Sequence, residues 1–112
     1  MDGTALRPLH LGISVESIEA SVRWYGEMLG FTLLSDAEMP ALESRVAFLG
    51  NGSFQLELFQ HRRTLPLPPG RRTPNDDIRT QGTKHICFAH EDVPGLLAEL
   101  RRKGADVVME QV

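Results

Sequence analysis

The sequence has little of several things, and each shortage excludes a class of protein. A single cysteine, Cys87, excludes an internal disulfide framework and favours a reducing compartment. A formal net charge of −3 provides no overall basic field for phosphates, which argues against a nucleic-acid partner. No apolar run approaches the length of a membrane span, and residues 1–8 lack the apolar core of a signal peptide. We therefore expect a soluble, cytoplasmic protein without a membrane partner.

Two stretches of the chain repeat the same order of features. In each, a His opens a short alternating run, a helix-capping residue follows, and a helical pattern then ends at a glycine. These residues are His10, Ser17 and Gly30 in the first copy, and His85, Asp92 and Gly104 in the second. Such an internal repeat indicates one strand–helix–strand unit that is used twice.

The first copy continues into further strands. Leu9–Val15 alternates between apolar and polar residues, so a helix between Ser17 and Gly30 can pack on its apolar face. This arrangement leaves the face that carries His10 pointing away from the helix. The remaining predicted elements are a strand at Phe31–Leu34, a loop at Asp36–Glu43 broken by Pro40, and a hairpin of Arg45–Leu49 with Ser53–Phe59 around Asn51-Gly52.

The stretch from residue 61 to 82 has a different character, with four prolines, five arginines and little periodicity. It is longer than the loops that usually connect two elements of a compact domain. It is either a plain linker with solubilising arginines or a lid that binds anions, and the linker is favoured because charge in loops is usually just solvated. The expected organisation is a first module at 1–60, this linker or lid at 61–82, and a second module at 83–112.

The second copy is shorter than the first. We expect a strand around His85–Ala89, with His85 and Cys87 on one face, and a helix between Asp92 and Gly104. Asp106–Val112 begins another strand, and no further hairpin follows.

Three side chains that can bind a metal fall on the strand faces turned away from the helices: His10, Glu57 and His85. Imidazole nitrogen with carboxylate oxygen suits a divalent metal such as Zn, Ni, Co, Fe or Mn. Alone the set is a weak signal, since a strand His is more often a hydrogen-bonded structural residue and a mid-strand Glu often faces solvent. The equivalence of the two histidines in the repeat strengthens the metal hypothesis.

Four segments carry a resemblance to a known family: His10–Val15, Trp24–Phe31, Leu56–Phe59 and Thr83–Phe88. The most diagnostic is the helix end, where an aromatic–Tyr pair is followed by Leu-Gly-Phe. Over nearly the whole chain apart from the Pro/Arg stretch, the sequence resembles the vicinal oxygen chelate superfamily. That superfamily includes glyoxalase I, methylmalonyl-CoA epimerase, extradiol dioxygenases, fosfomycin-resistance enzymes and bleomycin-binding proteins.

The resemblance implies an α+β fold of paired βαβββ modules, whose mixed sheets curl into a cup with the helices outside. In the glyoxalase and epimerase branches, the ligands of one metal ion lie on the first and last strands of each module. His10, Glu57 and His85 match three of these ligands. The fourth, usually a Glu in the last strand, has no counterpart, because the repeat spacing places it beyond Val112. The second module is therefore incomplete in this chain.

Three explanations compete for the missing hairpin: the chain is the ordered part of a longer protein, it is a truncation, or another chain completes the cup. We favour the first, because a native chain is not expected to end inside a strand-like run such as Asp106–Met109. An incomplete sheet exposes an unpaired edge. That edge and the habit of the family both predict a homodimer.

The resemblance also implies a function, a metal-dependent lyase or isomerase of the glyoxalase type that moves a proton next to a carbonyl group. Glu57 is then a ligand or the base, and the substrate is a small molecule such as a glutathione adduct or an acyl-CoA. The arginines expected to hold its carboxylates or phosphates are Arg62, Arg63, Arg71 and Arg72. Two alternatives stay open: a metal-free protein that binds an antibiotic or other small molecule, and an iron-dependent ring-cleaving dioxygenase.

Overall fold

The computed structural model describes residues 3–108, which fall into two compact units with the boundary between Leu65 and Pro66. The first unit contains a sheet and a helix, whereas the described part of the second contains helices and no strand. Within residues 3–108, none of the helices is both long and apolar enough to cross a membrane.

The first unit is a single βαβββ module. Its strands form one mixed sheet in the order β1-β4-β3-β2, in which β1 is parallel to β4 and the other pairs are antiparallel. The elements are β1 (His10–Ser14), α1 (Ile18–Leu29), β2 (Thr32–Met39), a 3-10 turn (Pro40–Leu42), β3 (Ser44–Asn51) and β4 (Phe54–His61). The α+β class and the βαβββ order predicted for the first module are confirmed.

Helix α1 begins and ends where the sequence predicts. The Ser17 hydroxyl accepts a hydrogen bond from the Ala20 amide at 3.1 Å, and Gly30 ends the helix in the left-handed region with φ 72°. A further contact joins the helix start to the sheet, because the Ile18 amide donates to Gln60 Oε1 at 2.7 Å. The cap and the Gln60 contact together satisfy two amides of the first turn, which have no partner inside the helix.

The core lies between α1 and one face of the sheet. The largest fully buried side chains are Ile18 from the helix and Leu49, Leu56 and Leu58 from β3 and β4. Burying each such side chain contributes roughly 1.5–3 kcal/mol. Because Leu56 and Leu58 face the helix, the alternating residues Gln55, Glu57 and Phe59 face away from it, as the pattern predicts.

Strand β2 is longer than predicted. The sequence pattern predicts that this strand ends at Leu34 and that a loop begins at Asp36, but pairing with β3 continues to Met39. The register shifts between Leu33 and Ser35, and the Asp36 carboxylate then accepts hydrogen bonds from Arg45 Nε at 2.8 Å and Nη2 at 2.6 Å. Every residue of β2 is exposed, so the length of the strand is set by its pairing with β3 and not by a buried face.

The hairpin is also longer than predicted, with eight residues in each of β3 and β4. Asn51 pairs with Phe54, so Gly52 and Ser53 form the connection. The Asn51 side chain donates from Nδ2 to the Leu29 carbonyl oxygen at 2.8 Å, which ties the hairpin to the end of α1.

The predicted strands of the second module are wrong for every residue that the structure describes. Residues 83–90 have no regular secondary structure, and neither do 105–108, while the rest of the predicted last strand lies outside the described residues. A strand persists only when its backbone groups find partners on a neighbouring strand, and no other strand is present in residues 66–108. His85–Ala89 alternates as a strand would, but residues 66–108 contain no neighbouring strand with which its backbone could form hydrogen bonds.

The helical segments in the described part of the second unit are a 3-10 turn (Pro69–Arg71), α2 (Pro74–Asp77) and α3 (Val93–Arg102). Helix α3 begins as predicted, because the Asp92 carboxylate accepts a hydrogen bond from the Gly95 amide at 3.0 Å. Gly104 follows the helix in the left-handed region with φ 87°, as the repeat predicts.

Candidate active site

His10 and Glu57 meet on the sheet face that points away from α1. In the parallel register Gly12 is the partner of Glu57, so His10 on β1 lies diagonally across from it. His10 Nε2 is 3.5 Å from Glu57 Oε1, and the two side chains are 40% and 23% exposed. The structure therefore brings together, in an accessible position, two of the three proposed metal ligands.

This pair fits two positions around a divalent ion. Zinc lies about 2.0–2.2 Å from imidazole nitrogen and carboxylate oxygen, which puts two tetrahedral donors about 3.4 Å apart. The observed separation of 3.5 Å matches that spacing. A tetrahedral or larger coordination shell needs further ligands, which a third side chain, water or substrate can supply.

His85, the third proposed ligand, lies in the second unit. It is exposed and belongs to the irregular stretch 83–90. Among residues 3–108 the structure contains no group of three or more His, Cys, Asp or Glu side chains placed to hold one ion. The assignment of His85 to the same site as His10 and Glu57 thus stays a prediction.

Two residues that lie beside the pair were not predicted from the sequence. Phe48 is opposite Glu57 on β3, and its ring meets that of His10 edge to face, with centroids 5.6 Å apart. A Cβ built on Gly12 would lie 3.3 Å from Phe59 Cε2 and 4.0 Å from Glu57 Oε1. Once the hairpin fixes the register, the alternation of side chains along β3 places Phe48 on the same face as Glu57. No local sequence signal identifies Gly12.

The four proposed substrate-binding arginines fall into two pairs. Arg62 and Arg63 follow β4 directly and are exposed. Arg71 and Arg72 lie in the second unit and make contacts there: Arg71 Nη2 donates to the Thr83 carbonyl at 2.6 Å and Arg72 Nε to the Leu67 carbonyl at 3.0 Å. Arg71 and Arg72 therefore already have roles in folding their own unit.

A buried carboxylate organises this part of the second unit. Asp77 is 7% exposed, and its Oδ1 accepts hydrogen bonds from Arg71 Nε at 2.8 Å and Lys84 Nζ at 3.0 Å. The hydrogen bond from Arg71, followed by that from Lys84, lowers the pKa of Asp77 below its usual value. Lys84 also donates to the carbonyls of Asp77 and Thr80, so residues 71–84 are closed into one structure by polar contacts.

Comparison with known proteins assigns the family. The model of the Glyoxalase/Bleomycin resistance protein/Dioxygenase superfamily matches residues 9–112. The chain belongs to this superfamily, which confirms the resemblance inferred from the sequence.

The chain is also similar to individual proteins. The chain is 30% identical over 92 residues to the uncharacterized protein YaeR of Escherichia coli (strain K12), a match that covers 81% of this chain and 66% of the relative. It is 29% identical over 102 residues to a probable lactoylglutathione lyase of Synechocystis sp., covering 91% of this chain and 73% of the relative. The structure of a glyoxalase family protein from Enterococcus faecalis has the same fold, with a TM-score of 0.71, 24% identity and coverage of 88% and 72%.

Proposed function

We propose that the chain is a metal-dependent lyase or isomerase of the glyoxalase type, which moves a proton next to a carbonyl group of a small molecule. The observation that supports this most is the approach of His10 Nε2 to Glu57 Oε1 at 3.5 Å on an accessible sheet face. Similarity to a probable lactoylglutathione lyase supports the same reaction class. Since the chain spans only 66% and 73% of the two relatives, the activity of the whole protein is part of the proposal.

Three side chains carry the proposed chemistry. His10, Glu57 and His85 hold a divalent cation, and the identity of the metal is left among Zn, Ni, Co, Fe and Mn. When bound, the ion supplies a Lewis acid that polarises a substrate carbonyl. The Glu57 carboxylate, which is partly exposed beside His10, is the group that takes or returns the proton on the adjacent carbon.

An anionic substrate group and a homodimer are also part of the proposal. Arg62 and Arg63 are the better placed of the four arginines for an anionic substrate group, because Arg71 and Arg72 already donate within their own unit. A homodimer is proposed because β1 and β2 are edge strands of the sheet, each with one side paired in the described residues.

Metal content tests the proposal. The purified chain is reconstituted with each of the five metals, desalted and analysed for bound metal, beside His10→Ala, Glu57→Gln and His85→Ala. His61→Ala is the matched control, because His61 lies at the end of β4 on the same sheet face as Glu57. We expect near-stoichiometric metal in the wild type and the control, and its loss in the three ligand variants.

Two results would decide against parts of this assignment. Failure of the wild-type chain to bind any of the five metals would overturn the enzymatic proposal. Metal retained in His85→Ala but lost in His10→Ala would keep the site and remove His85 from it.

A metal-free binding protein is the second candidate. It is favoured by apolar side chains exposed on β2, where Leu34 is 54% and Met39 43% exposed. This candidate predicts that small apolar compounds bind equally well to the wild type and to His10→Ala. Binding that requires both His10 and an added metal would exclude it.

A further inference from the structure

Glu57 has two very different neighbours in the sheet. On one side Glu57 is paired with Gly12 of β1, and on the other with Phe48 of β3. Paired residues in a sheet project to the same face, so both neighbours border the space in which the Glu57 side chain lies. One of them contributes no side chain and the other a large ring.

Phe48 reaches past Glu57 to the imidazole. The strand order β1-β4-β3 places His10 and Phe48 two strands apart, about 10 Å between backbones at the usual strand spacing. Their ring centroids are nevertheless 5.6 Å apart and the rings are nearly perpendicular at 83°, an edge-to-face contact. The two rings therefore lean toward each other across β4. Such a contact restricts the rotation of an imidazole that is otherwise 40% exposed.

Gly12 provides the space on the other side. A methyl group there would lie 3.3 Å from Phe59 Cε2, tighter than ordinary contact, and 4.0 Å from Glu57 Oε1. A side chain on residue 12 would therefore press against the edge of the Phe59 ring, and would meet the Glu57 carboxylate at ordinary contact distance. Because residue 12 has no side chain, the Phe59 ring can lie close to β1 on the face that carries Glu57 and His10.

We propose that Phe48 and Gly12 are positioning residues, which set the His10 imidazole and the Glu57 carboxylate at donor spacing before a metal ion arrives. The proposal rests on the proposed metal site. Residues that orient the metal ligands without contacting the ion change the metal affinity, typically by 10–100-fold. Phe48 acts on the ring of His10, and Gly12 leaves room for the Phe59 ring, which follows Glu57 on the same face of β4.

The first measurement is Co²⁺ affinity, followed through the visible absorption of the bound ion. Phe48→Leu removes the ring, Phe48→Tyr keeps it, and Gly12→Ala fills the space beside Glu57. Phe54→Leu is the matched control, because it makes the same change on β4 on the opposite face of the sheet. We expect about tenfold weaker Co²⁺ binding for Phe48→Leu and Gly12→Ala. Phe48→Tyr and Phe54→Leu should bind as the wild type does.

The second measurement needs no metal and separates this inference from the proposed function. In the metal-free protein, NMR signals of the His10 ring protons are assigned by their loss in His10→Ala. Proximity to the Phe48 ring predicts a ring-current shift and a nuclear Overhauser effect between the two rings. Both should disappear in Phe48→Leu and persist in Phe48→Tyr and Phe54→Leu.

The two readouts fail in different ways. If the wild type binds no Co²⁺ but the ring-current result is as expected, the metal site is wrong and so is the positioning role, although the contact itself stands. If the wild type binds Co²⁺ and Phe48→Leu binds it equally well, the positioning inference is overturned while the metal site survives. Should Phe48→Leu fail to fold by circular dichroism, Phe48→Met keeps the volume without the ring and takes its place.

Discussion

Different interactions stabilise each of the two units of this chain internally. In the first, α1 covers one face of a four-stranded sheet, and fully buried Leu49, Leu56 and Leu58 form the centre of the core. In the described part of the second, Asp77 is the one buried residue, and it is a carboxylate that Arg71 and Lys84 neutralise.

The difference shows what an amphipathic pattern can and cannot establish. Helix α3 carries an apolar stripe at helical spacing and forms as predicted, yet none of its residues is buried and Val93 is exposed. Burial of apolar surface is non-directional, and its stabilisation is roughly proportional to the apolar area removed from water. A buried carboxylate instead depends on specific donors, because losing one of them leaves charge uncompensated in a poorly solvated place. The two units should therefore respond differently to substitution, to acid and to loss of a cap.

The largest expected effect is in the core of the first unit. Leu56→Ala should lower the free energy of unfolding by about 3 kcal/mol, within the usual range of about 2–5 kcal/mol, because Leu56 is fully buried and its removal leaves a cavity. Urea unfolding followed by circular dichroism measures this. Leu42→Ala is the control, because Leu42 is 49% exposed, and its cost should stay below about 0.5 kcal/mol. Equal costs for the two variants would mean that the sheet face is not the core.

The second unit should open locally when its carboxylate is neutralised. Asp77→Asn keeps the shape of the side chain but removes the charge that pairs with Arg71 and Lys84. Hydrogen exchange should speed up at residues 78–84 and remain unchanged in β3 and β4. Asp76→Asn is the matched control, since Asp76 is exposed and its carboxylate accepts a hydrogen bond from the Thr73 hydroxyl. Faster exchange throughout the chain would show that the two units are not independent in stability.

Acid should reproduce that opening. Because hydrogen bonds from Arg71 and Lys84 lower the pKa of Asp77 in the folded state, its contribution is complete above the usual carboxyl pKa of about 3.9. The contribution is lost as pH falls through the lower, folded-state pKa. After correction for intrinsic exchange, protection at residues 78–84 should therefore decrease below about pH 4 in the wild type. Asp77→Asn should show no such decrease in this window, and a parallel decrease would assign it to other carboxylates.

The smallest effects concern the two helix caps. Ser17→Ala and Asp92→Ala each remove the side chain that accepts an amide hydrogen bond in the first turn, from Ala20 and Gly95 respectively. Each should cost about 1 kcal/mol. For Ser17→Ala the loss should appear in the global unfolding of the first unit, because α1 covers its core. For Asp92→Ala it should appear only as faster exchange within α3. A lower free energy of global unfolding in Asp92→Ala would contradict the difference proposed between the two units.

Much of the first unit could be predicted from local patterns. Alternation set the faces of β1 and β4, Ser17 and Gly30 set the bounds of α1, and the repeat predicted the cap and the glycine of α3. Strand β2 beyond Leu34 was missed because its residues are exposed on both faces, and its length depends on pairing with β3. The strand predicted at His85–Ala89 is wrong for the converse reason. Its residues alternate as those of a strand do, but residues 66–108 contain no strand with which they could pair.

The sequence by itself determined which residues could meet, and the tertiary structure decided which of them do. Residue type and parity placed His10 and Glu57 on one face, because side chains alternate along a strand whatever its neighbours are. Their separation of 3.5 Å depends on the register between β1 and β4, which are far apart in sequence. The ring of Phe48 against His10 and the paired cations on Asp77 depend likewise on contacts across the fold. Such contacts are fixed by packing and by long-range hydrogen bonds, which leave no periodic trace in the chain.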